Sequence, residues 1–437
     1  MGTYHQGIDV VAPARGKQLA HELDMPEHVT VAMDDLAGAC REGLLALAVG
    51  AGLQVMHVLL EESVTAVAGP KGKHDVEREA TRHGSEDGAV TLGGRRVPVR
   101  RPRVRSVDGS AEVAVPAYDL FASRDLLNRM AVERMLAGLS TRRYGVGLEP
   151  VGSEVEASAI GTSKSAVSRR FVALTRTALA ELMARRLDDL RPLVLMIDGE
   201  HVADHLCVVA LVIDAEGRKI PVGLVEGATE NATVVTGLLE DLVARGLDFS
   251  GGVLVVIDGS RALATAVRKV VGRGVPVQRC QEHKIRNVIG YLPKGRQGFV
   301  RRKLRAAYAL DDAARAQRDL EALARSLERD HPGAAASLRE GLAETLTVIR
   351  LQLSPTLRRT LRSTNPIESM IGSCRTTARN VKRFRDGEMA LRWTAAGMVE
   401  AEKRFRRIKG FRDLPLLARA IAHHCEDVRL DRNTKAA

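Results

Sequence analysis

Two apolar runs end alike, in Leu195-Met-Ile-Asp198-Gly199 and Val255-Val-Ile-Asp258-Gly259. Each places a carboxylate at the end of a strand-like segment. Asp-Gly is also a common turn, so either one alone carries little. Two on one sheet carry more, because carboxylates held close repel unless a cation neutralises them. Such a pair is a natural Mg²⁺ site, suited to in-line phosphoryl transfer. A third acid is offered by Glu368 in Ser363-Thr-Asn-Pro-Ile-Glu-Ser369. Asn365 as N-cap, Pro366 and Glu368 also form a capping-box arrangement, which would account for the Glu without catalysis. Capping does not account for Arg375, Arg379, Lys382 and Arg383, at +7, +11, +14 and +15 from Glu368, which at 100° per residue share its face. Cys280-x₂-His283 has the spacing of half a zinc site, but no second ligand pair is evident. A buried Cys with a helix-terminal His is the plainer reading, and positioning substrate beside the metals lies between the two. His201 and His205 read as structural. There is no GxSxG and no GxxxxGK[ST].

The elements that must position these groups are legible in outline. The runs 194–198, 206–213, 219–226, 253–258 and 275–280 are short, apolar and β-branched, with helix-patterned stretches at 231–246 and after Asp258. The order is β-β-β-α-β-α-β. Short connections favour an antiparallel start, and intervening helices favour later parallel crossovers. That mixed five-stranded sheet suits an α/β ribonuclease-H-like core better than a doubly wound sheet. Glu368 lies 110 residues beyond Asp258, more than a compact core needs, and residues 296–362 supply an Arg/Ala/Leu-rich all-α insertion. Five segments follow: 1–115, helical with a basic hairpin; 116–186, a helix-turn-helix domain; 187–295, the first part of the core; 296–362, the insertion; and 363–437, the end of the core with basic helices.

Within the first segment, residues 1–25 read as a loose tail, 29–68 as two helices with Leu44, Leu47, Ala48, Val55, Val58 and Leu59 at helical spacing, and 69–88 as a loop. Residues 89–105 alternate with period two around Gly93-Gly94, a hairpin signal. Its second arm carries Arg95, Arg96, Arg100, Arg101, Arg103 and Arg105 and no acid, and Pro98 and Pro102 assign it to an edge. A solvated, aggregation-blocking edge would look the same. Mutual repulsion of six like charges favours a phosphate-contacting ribbon. In 155–174, Ala157 permits close helix contact, Gly161 turns the chain and Val167 plugs the core. Ser163, Lys164 and Ser168 then face base edges, and Arg169 and Arg170 hold phosphates. Any helical hairpin with a Gly turn shares these features.

The 437 residues carry 66 Lys+Arg against 54 Asp+Glu, a net charge of +12. Residues 95–105 contribute +6 and residues 363–412 contribute +7, so the excess is placed rather than spread. With 45% hydrophobic residues the chain can build cores, and thirteen aromatics are too few for single-strand binding by base stacking. Five scattered cysteines exclude a disulfide framework. No run of about 18 uncharged apolar residues suggests a membrane span, and no signal core is evident. A soluble cytoplasmic protein is expected.

Taken together, Asp198, Asp258-Gly259, Arg279-Cys-Gln-Glu-His-Lys284 with Arg286-Asn287, Thr364-Asn-Pro-Ile-Glu-Ser369, Arg392-Trp393 and Phe405-Arg-Arg407 resemble the Mutator-like transposases of bacterial insertion sequences, over about residues 120–425. The resemblance implies a DDE triad of Asp198, Asp258 and Glu368 using Mg²⁺, or Mn²⁺ in its place, on a ribonuclease-H-like core. It implies binding of terminal inverted repeats by the upstream helices, strand transfer into target double-stranded DNA, a homodimer on paired ends, and a nucleoid location. Cys280 and His283 match the family's C-x₂-H signature. Residues 1–100 match the family's usual start weakly. Two alternatives stand beside this reading: a ribonuclease-H-like, structure-specific nuclease that cuts without joining, and a domesticated, non-catalytic DNA-binding regulator.

Overall fold

The computed structural model describes residues 27–73, 77–148, 151, 153–227 and 231–436, so the tail expected over 1–25 lies outside the described residues. The chain divides into two compact units: residues 1–131 with 141–168, and residues 132–140 with 169–437.

The first unit is built on a hairpin. Strand β1 (Ala80–Leu92) pairs antiparallel with β2 (Arg95–Ser106). Gly93 and Gly94 join them with φ +52° and +81°, the doubly left-handed turn that glycine permits and strand twist favours. β1 therefore absorbs much of what reads as a loop over 69–88. β2 is the middle strand of three, not an edge. Its other neighbour, β3 (Glu112–Val113), is short and pairs only with Val104 and Arg105, which leaves Pro98 and Pro102 without a ladder partner on that side. A single helix, α1 (Glu27–Ala68), replaces the two expected. Its Met56, Leu60, Val64 and Ala68, spaced four apart, pack on Val90, Val97 and Val104 of the hairpin. Leu44, Leu47, Val55, Val58 and Leu59, the residues whose spacing suggests a core face, are exposed. By length and composition alone Leu47–Ala68 could cross a membrane, although it is not an uncharged run. Glu61 and Glu62 interrupt it, and its Met56–Ala68 face is used by the hairpin core.

Short helices α2 (Pro116–Ala122), α3 (Arg124–Leu136) and α4 (Ser153–Ser158) lead to α5 (Lys164–Ala184). Gly161, at φ +85°, turns the chain between α4 and α5, and Val167 is fully buried. Ala157, expected at the helix contact, is exposed. The turn is instead held to the hairpin by paired backbone bonds between Arg96 and Ile160, at 2.9 and 3.0 Å.

The second unit is an α/β body. Five strands, β4 (Pro192–Val202), β5 (His205–Asp214), β6 (Lys219–Gly227), β7 (Leu254–Ile257) and β8 (Val277–Arg279), lie in the order β6-β5-β4-β7-β8. β5 is antiparallel to β4 and β6, whereas β4, β7 and β8 are parallel. The order matches the expected antiparallel start and parallel continuation. Side chains alternate between two cores, as strand geometry requires. Leu195, Ile197, Val255 and Ile257 meet helices α6 (Ala232–Ala244) and α7 (Arg261–Val270). Val194, Met196, Leu254 and Val256 face the opposite core, shared with every later helix except the last turns of the chain. These are α8 (Gln281–Gly290), α9 (Lys294–Tyr308), α10 (Ala313–Glu328), α11 (Pro332–Arg339), α12 (Thr347–Arg350), α13 (Pro355–Leu361), α14 (Asn365–Ala378), α15 (Gly387–Arg404) and α16 (Leu414–Ala436). The all-α stretch 296–362 thus has no core of its own: Val300, Leu304, Leu320, Leu338 and Leu361 belong to the sheet's core.

α14 and α15 approach closely at Gly397, where a Cβ would stand 2.6 Å from Cys374 Cα. The obstruction is backbone, so it cannot rotate away. Gly397→Val should destabilise the fold by about 2–3 kcal/mol in urea unfolding, with an unchanged m-value.

Candidate active site

Strand register brings the acids together. Ile197 pairs with Ile257 across parallel β4 and β7, and Ile257 pairs with Arg279 across β7 and β8. The next residues are therefore Asp198, within β4, and Asp258 and Cys280, just past the ends of β7 and β8, in a row across three parallel strands about 4.8 Å apart. By alternation from Met196 and Val256, both acids take the face that carries α14. Asp198 is buried and accepts the Gly199 N–H at 3.0 Å. Burial pushes its carboxyl up to about 7, helped by the nearby charge of Asp258. Asp258 accepts the Ser260 N–H at 2.8 Å.

Glu368 sits in the first turn of α14, directed back toward this row. The N-cap is Thr364, not Asn365, and Glu368 does not cap. Its Oε1 accepts the Thr364 hydroxyl at 3.1 Å and lies 3.6 Å from His283 Nε2 and 3.7 Å from Arg286 Nη2. The His283 Nδ1 faces the same hydroxyl at 3.4 Å. Burial pushes the Cys280 thiol up, but hydrogen bonds with His283 and Thr364 outweigh it and hold the thiol below its usual range. The hydrogen bond to Cys280 raises His283 in turn. Cys280 and His283 are thus joined to Glu368 through Thr364. Among the described residues, no three His, Cys, Asp or Glu side chains converge as a ready metal cluster, so neither a zinc site nor a closed three-acid site is formed.

Three positioning residues escape a reading of sequence alone. Glu200 is two residues beyond Asp198 on the same strand face, buried, and bound by Arg375 through two 2.6 Å bonds. Period-two spacing from Asp198 is the signal that could have found it. Thr364 is fully buried and links His283 to Glu368. Arg279 donates to Gly259 O and, at 2.7 Å, to Glu340 O, tying the turn after Asp258 to the end of α11. Gly259 has φ +111°, and a Cβ there would stand 2.9 Å from Arg279 Nε. Lys284 completes that attachment through Ser337 O and Glu340 O, at 2.5 and 2.6 Å.

The basic residues fare differently. Of the expected row on α14, only Arg375 lies within the helix, and it is engaged with Glu200. Arg379 is the C-cap, donating to Ala137 O at 3.1 Å, and Lys382 and Arg383 are exposed in the loop beyond. The helix ends too early for them to share its face. On the hairpin, the repulsion inferred from β2 alone is relieved by its neighbours. Arg100 pairs with Asp87 at 2.7 Å, Arg101 with Glu86 and Glu112, and Arg103 with Glu112 and Glu86. Arg95 is buried against Glu156, and Arg96 donates to Ala122 O at 2.6 Å. Arg105 lies within reach of Glu112's charge. On α5, Ser163, Lys164, Ser168 and Arg169 are exposed and Arg170 is half-buried. His205 is bonded to Glu226 at 2.7 Å, in keeping with a structural role.

In the metal-free chain, Asp198 binds its proton more tightly folded than unfolded, so stability should fall as pH rises from about 4 to 7 and then level. Asp198→Asn, unfolded in chelator at pH 8, should be more stable than the parent by on the order of 2 kcal/mol, and the gain should vanish at pH 4. Arg375→Met leaves Glu200 buried and unpaired and should cost about 2–3 kcal/mol. Adding Glu200→Gln should recover most of that in a double-mutant cycle.

Comparison with known proteins bears on the whole chain. The sequence pattern of the family described as "Transposase, Mutator family" matches residues 42–407, beginning well before the resemblance seen from residue 120 and taking in the hairpin. The transposase for insertion sequence element ISRM5 of Rhizobium meliloti (strain 1021) is 27% identical over 351 residues, 80% of this chain and 86% of that protein. The transposase for IS6120 of Mycolicibacterium smegmatis is 29% identical over 246 residues, 55% of this chain and 73% of that protein. The transposase for IS256 in transposon Tn4001 of Staphylococcus aureus is 25% identical over 357 residues, 79% and 87% respectively. The chain belongs to the Mutator family of transposases.

Proposed function

We propose that the protein is a DDE transposase that binds the terminal inverted repeats of an insertion sequence, cleaves at the element ends and joins the 3′-hydroxyl to target double-stranded DNA. The observation that carries this reading is the register-adjacent pair Asp198 and Asp258, with Glu368 on the helix covering the same sheet face. The strand order, with three antiparallel strands followed by two parallel ones, supports a ribonuclease-H-like core.

The donor set fits a hard divalent cation. Asp198, buried, and Asp258, half-buried, stand side by side in strand register, and burial with the second negative charge pushes the Asp198 carboxyl up to about 7. Asp198, Asp258 and Glu368 would hold Mg²⁺, or Mn²⁺ in its place. When bound, it would supply Lewis-acid activation of the attacking oxygen and neutralise charge on the leaving oxygen. Asp198 would have to be ionised to hold the cation, which the cation's charge would favour. Glu368 is kept near by Thr364, and His283 and Arg286 hold positive or donor character beside the phosphate. Cys280, at the end of β8, fixes the His283 ring and so helps place substrate. End recognition is assigned to the segments before β4, through the exposed start of α5 at Ser163, Lys164, Ser168 and Arg169, and through the hairpin arginines Arg96, Arg100, Arg101, Arg103 and Arg105 to the extent that phosphates replace their carboxylate partners. Arg170, Arg375, Arg379, Lys382 and Arg383 complete the assigned DNA contacts. The protein would act as a homodimer on paired ends, in the bacterial cytoplasm at the nucleoid.

Asp258→Asn should reduce cleavage and strand transfer of labelled element ends by on the order of a thousandfold with Mg²⁺, while end binding in a mobility-shift assay stays within a few-fold of the parent. Persistent cleavage would remove Asp258 from the active site. Cleavage of intact ends together with failure to join a labelled, pre-cut end to target DNA with Mg²⁺ would favour a nuclease.

A further inference from the structure

The end of α15 and the turn beyond it, Lys403-Arg-Phe-Arg-Arg-Ile-Lys-Gly-Phe-Arg412, hold six cations and no acid. Lys403 and Arg404 pair with Glu400. Among the described residues, Arg406, Arg407, Lys409 and Arg412 have no carboxylate partner, and neither does Lys219 at the start of edge strand β6. Three of these cations rest on aromatic rings: Lys219 Nζ is 4.5 Å from the Phe405 centroid, and Arg407 and Arg412 are 5.2 and 6.0 Å from that of Phe411. The contrast with the hairpin is direct, since the arginines there are largely neutralised by their neighbours.

The segment is also held rigidly. Ile408 is buried and donates its N–H to Gly217 O at 3.0 Å, and Thr360 donates to Lys409 O at 3.0 Å. Gly217, at φ +79°, lets Phe411 lie where a Cβ would be 2.5 Å away. Gly410, at φ +84°, brings the chain against Leu357. Arg406, Arg407 and Lys219 line a concavity of about 420 Å³ whose other cations, Arg185, Arg186 and Arg218, are paired with Glu402, Asp188 and Asp214. The unpaired charge is preorganised, so little ordering cost attends binding an anion.

We infer that Lys219, Arg406, Arg407, Lys409 and Arg412 form a sequence-independent docking ridge for the phosphate backbone of duplex DNA, separate from the catalytic edge. Lys219 pairs with Ile213, which pairs with Val194, four residues before Asp198. Two strand spacings and four residue rises place the ridge roughly 15 Å from Asp198. That is about five base pairs along a duplex, too far for the scissile phosphate itself. The inference rests on the transposase reading and adds a DNA surface that the acids do not require.

The test is the salt dependence of duplex binding by the full chain, read by fluorescence anisotropy on duplexes with and without the element end. Arg406→Gln/Arg407→Gln/Lys409→Gln should lower the slope of log K against log [KCl] by about 2–3, equally on both duplexes. Its melting temperature and the Mn²⁺-induced thermal shift at the acid pair should match the parent. An unchanged slope overturns the inference, as does a loss confined to the end-bearing duplex, which would mean base readout. Should the triple variant not fold, Arg406→Gln and Lys409→Gln singly should each lower the slope by about 0.9, and two unchanged slopes overturn it equally. Parent chain that fails to cleave ends would count against the transposase reading. Parent that cleaves beside a triple variant of unchanged slope counts against the ridge alone.

Discussion

Two carboxylates stand side by side on neighbouring parallel strands, Asp198 buried and Asp258 half-buried, and much of this fold serves to hold them there. Asp198 is kept in place by a strand buried on both faces, and that burial, with the charge of Asp258 beside it, pushes its carboxyl up. Asp258 is fixed from behind by Arg279, whose guanidinium fills the space that Gly259 leaves open and reaches on to α11. The helical stretch between β8 and α14 therefore does more than interrupt the core. Through Arg279, Lys284 and a shared apolar core, it braces the turn that presents Asp258.

The third acid is held by a different device. α14 is anchored to β4 by the Glu200–Arg375 pair and pressed on α15 at Gly397, so Glu368 has a defined position. Its carboxylate is occupied by Thr364 and lies beside His283 and Arg286. Capping does not explain this residue, because the helix begins one residue earlier than the capping pattern requires.

Charge placement separates two kinds of basic segment that look alike in sequence. The β2 arginines are answered by Glu86, Asp87 and Glu112, brought opposite by strand pairing. Of the 403–412 cations, Lys403 and Arg404 are answered by Glu400 within their own helix, Arg407 and Arg412 rest on the Phe411 ring, and Arg406 and Lys409 have no carboxylate opposite among the described residues. An arginine count cannot distinguish these cases, since the neutralising acids are contributed by other strands.

The sequence alone determined what local periodicity and spacing control. The five β-branched runs, their order and directions, the Gly93-Gly94 turn and the Asp198 and Asp258 candidates follow from alternation, connection length and turn chemistry, whereas Glu368 is offered by its motif and by family resemblance. Tertiary structure decided what depends on partners remote in the chain. α1 buries Met56, Leu60, Val64 and Ala68 rather than the equally periodic Leu44, Leu47, Val55, Val58 and Leu59, because the hairpin covers only one face. α14 stops at Ala378, so Lys382 and Arg383 leave the helix. Period-two spacing puts Glu200 on the face of Asp198, but only the fold brings it its partner Arg375, 175 residues away.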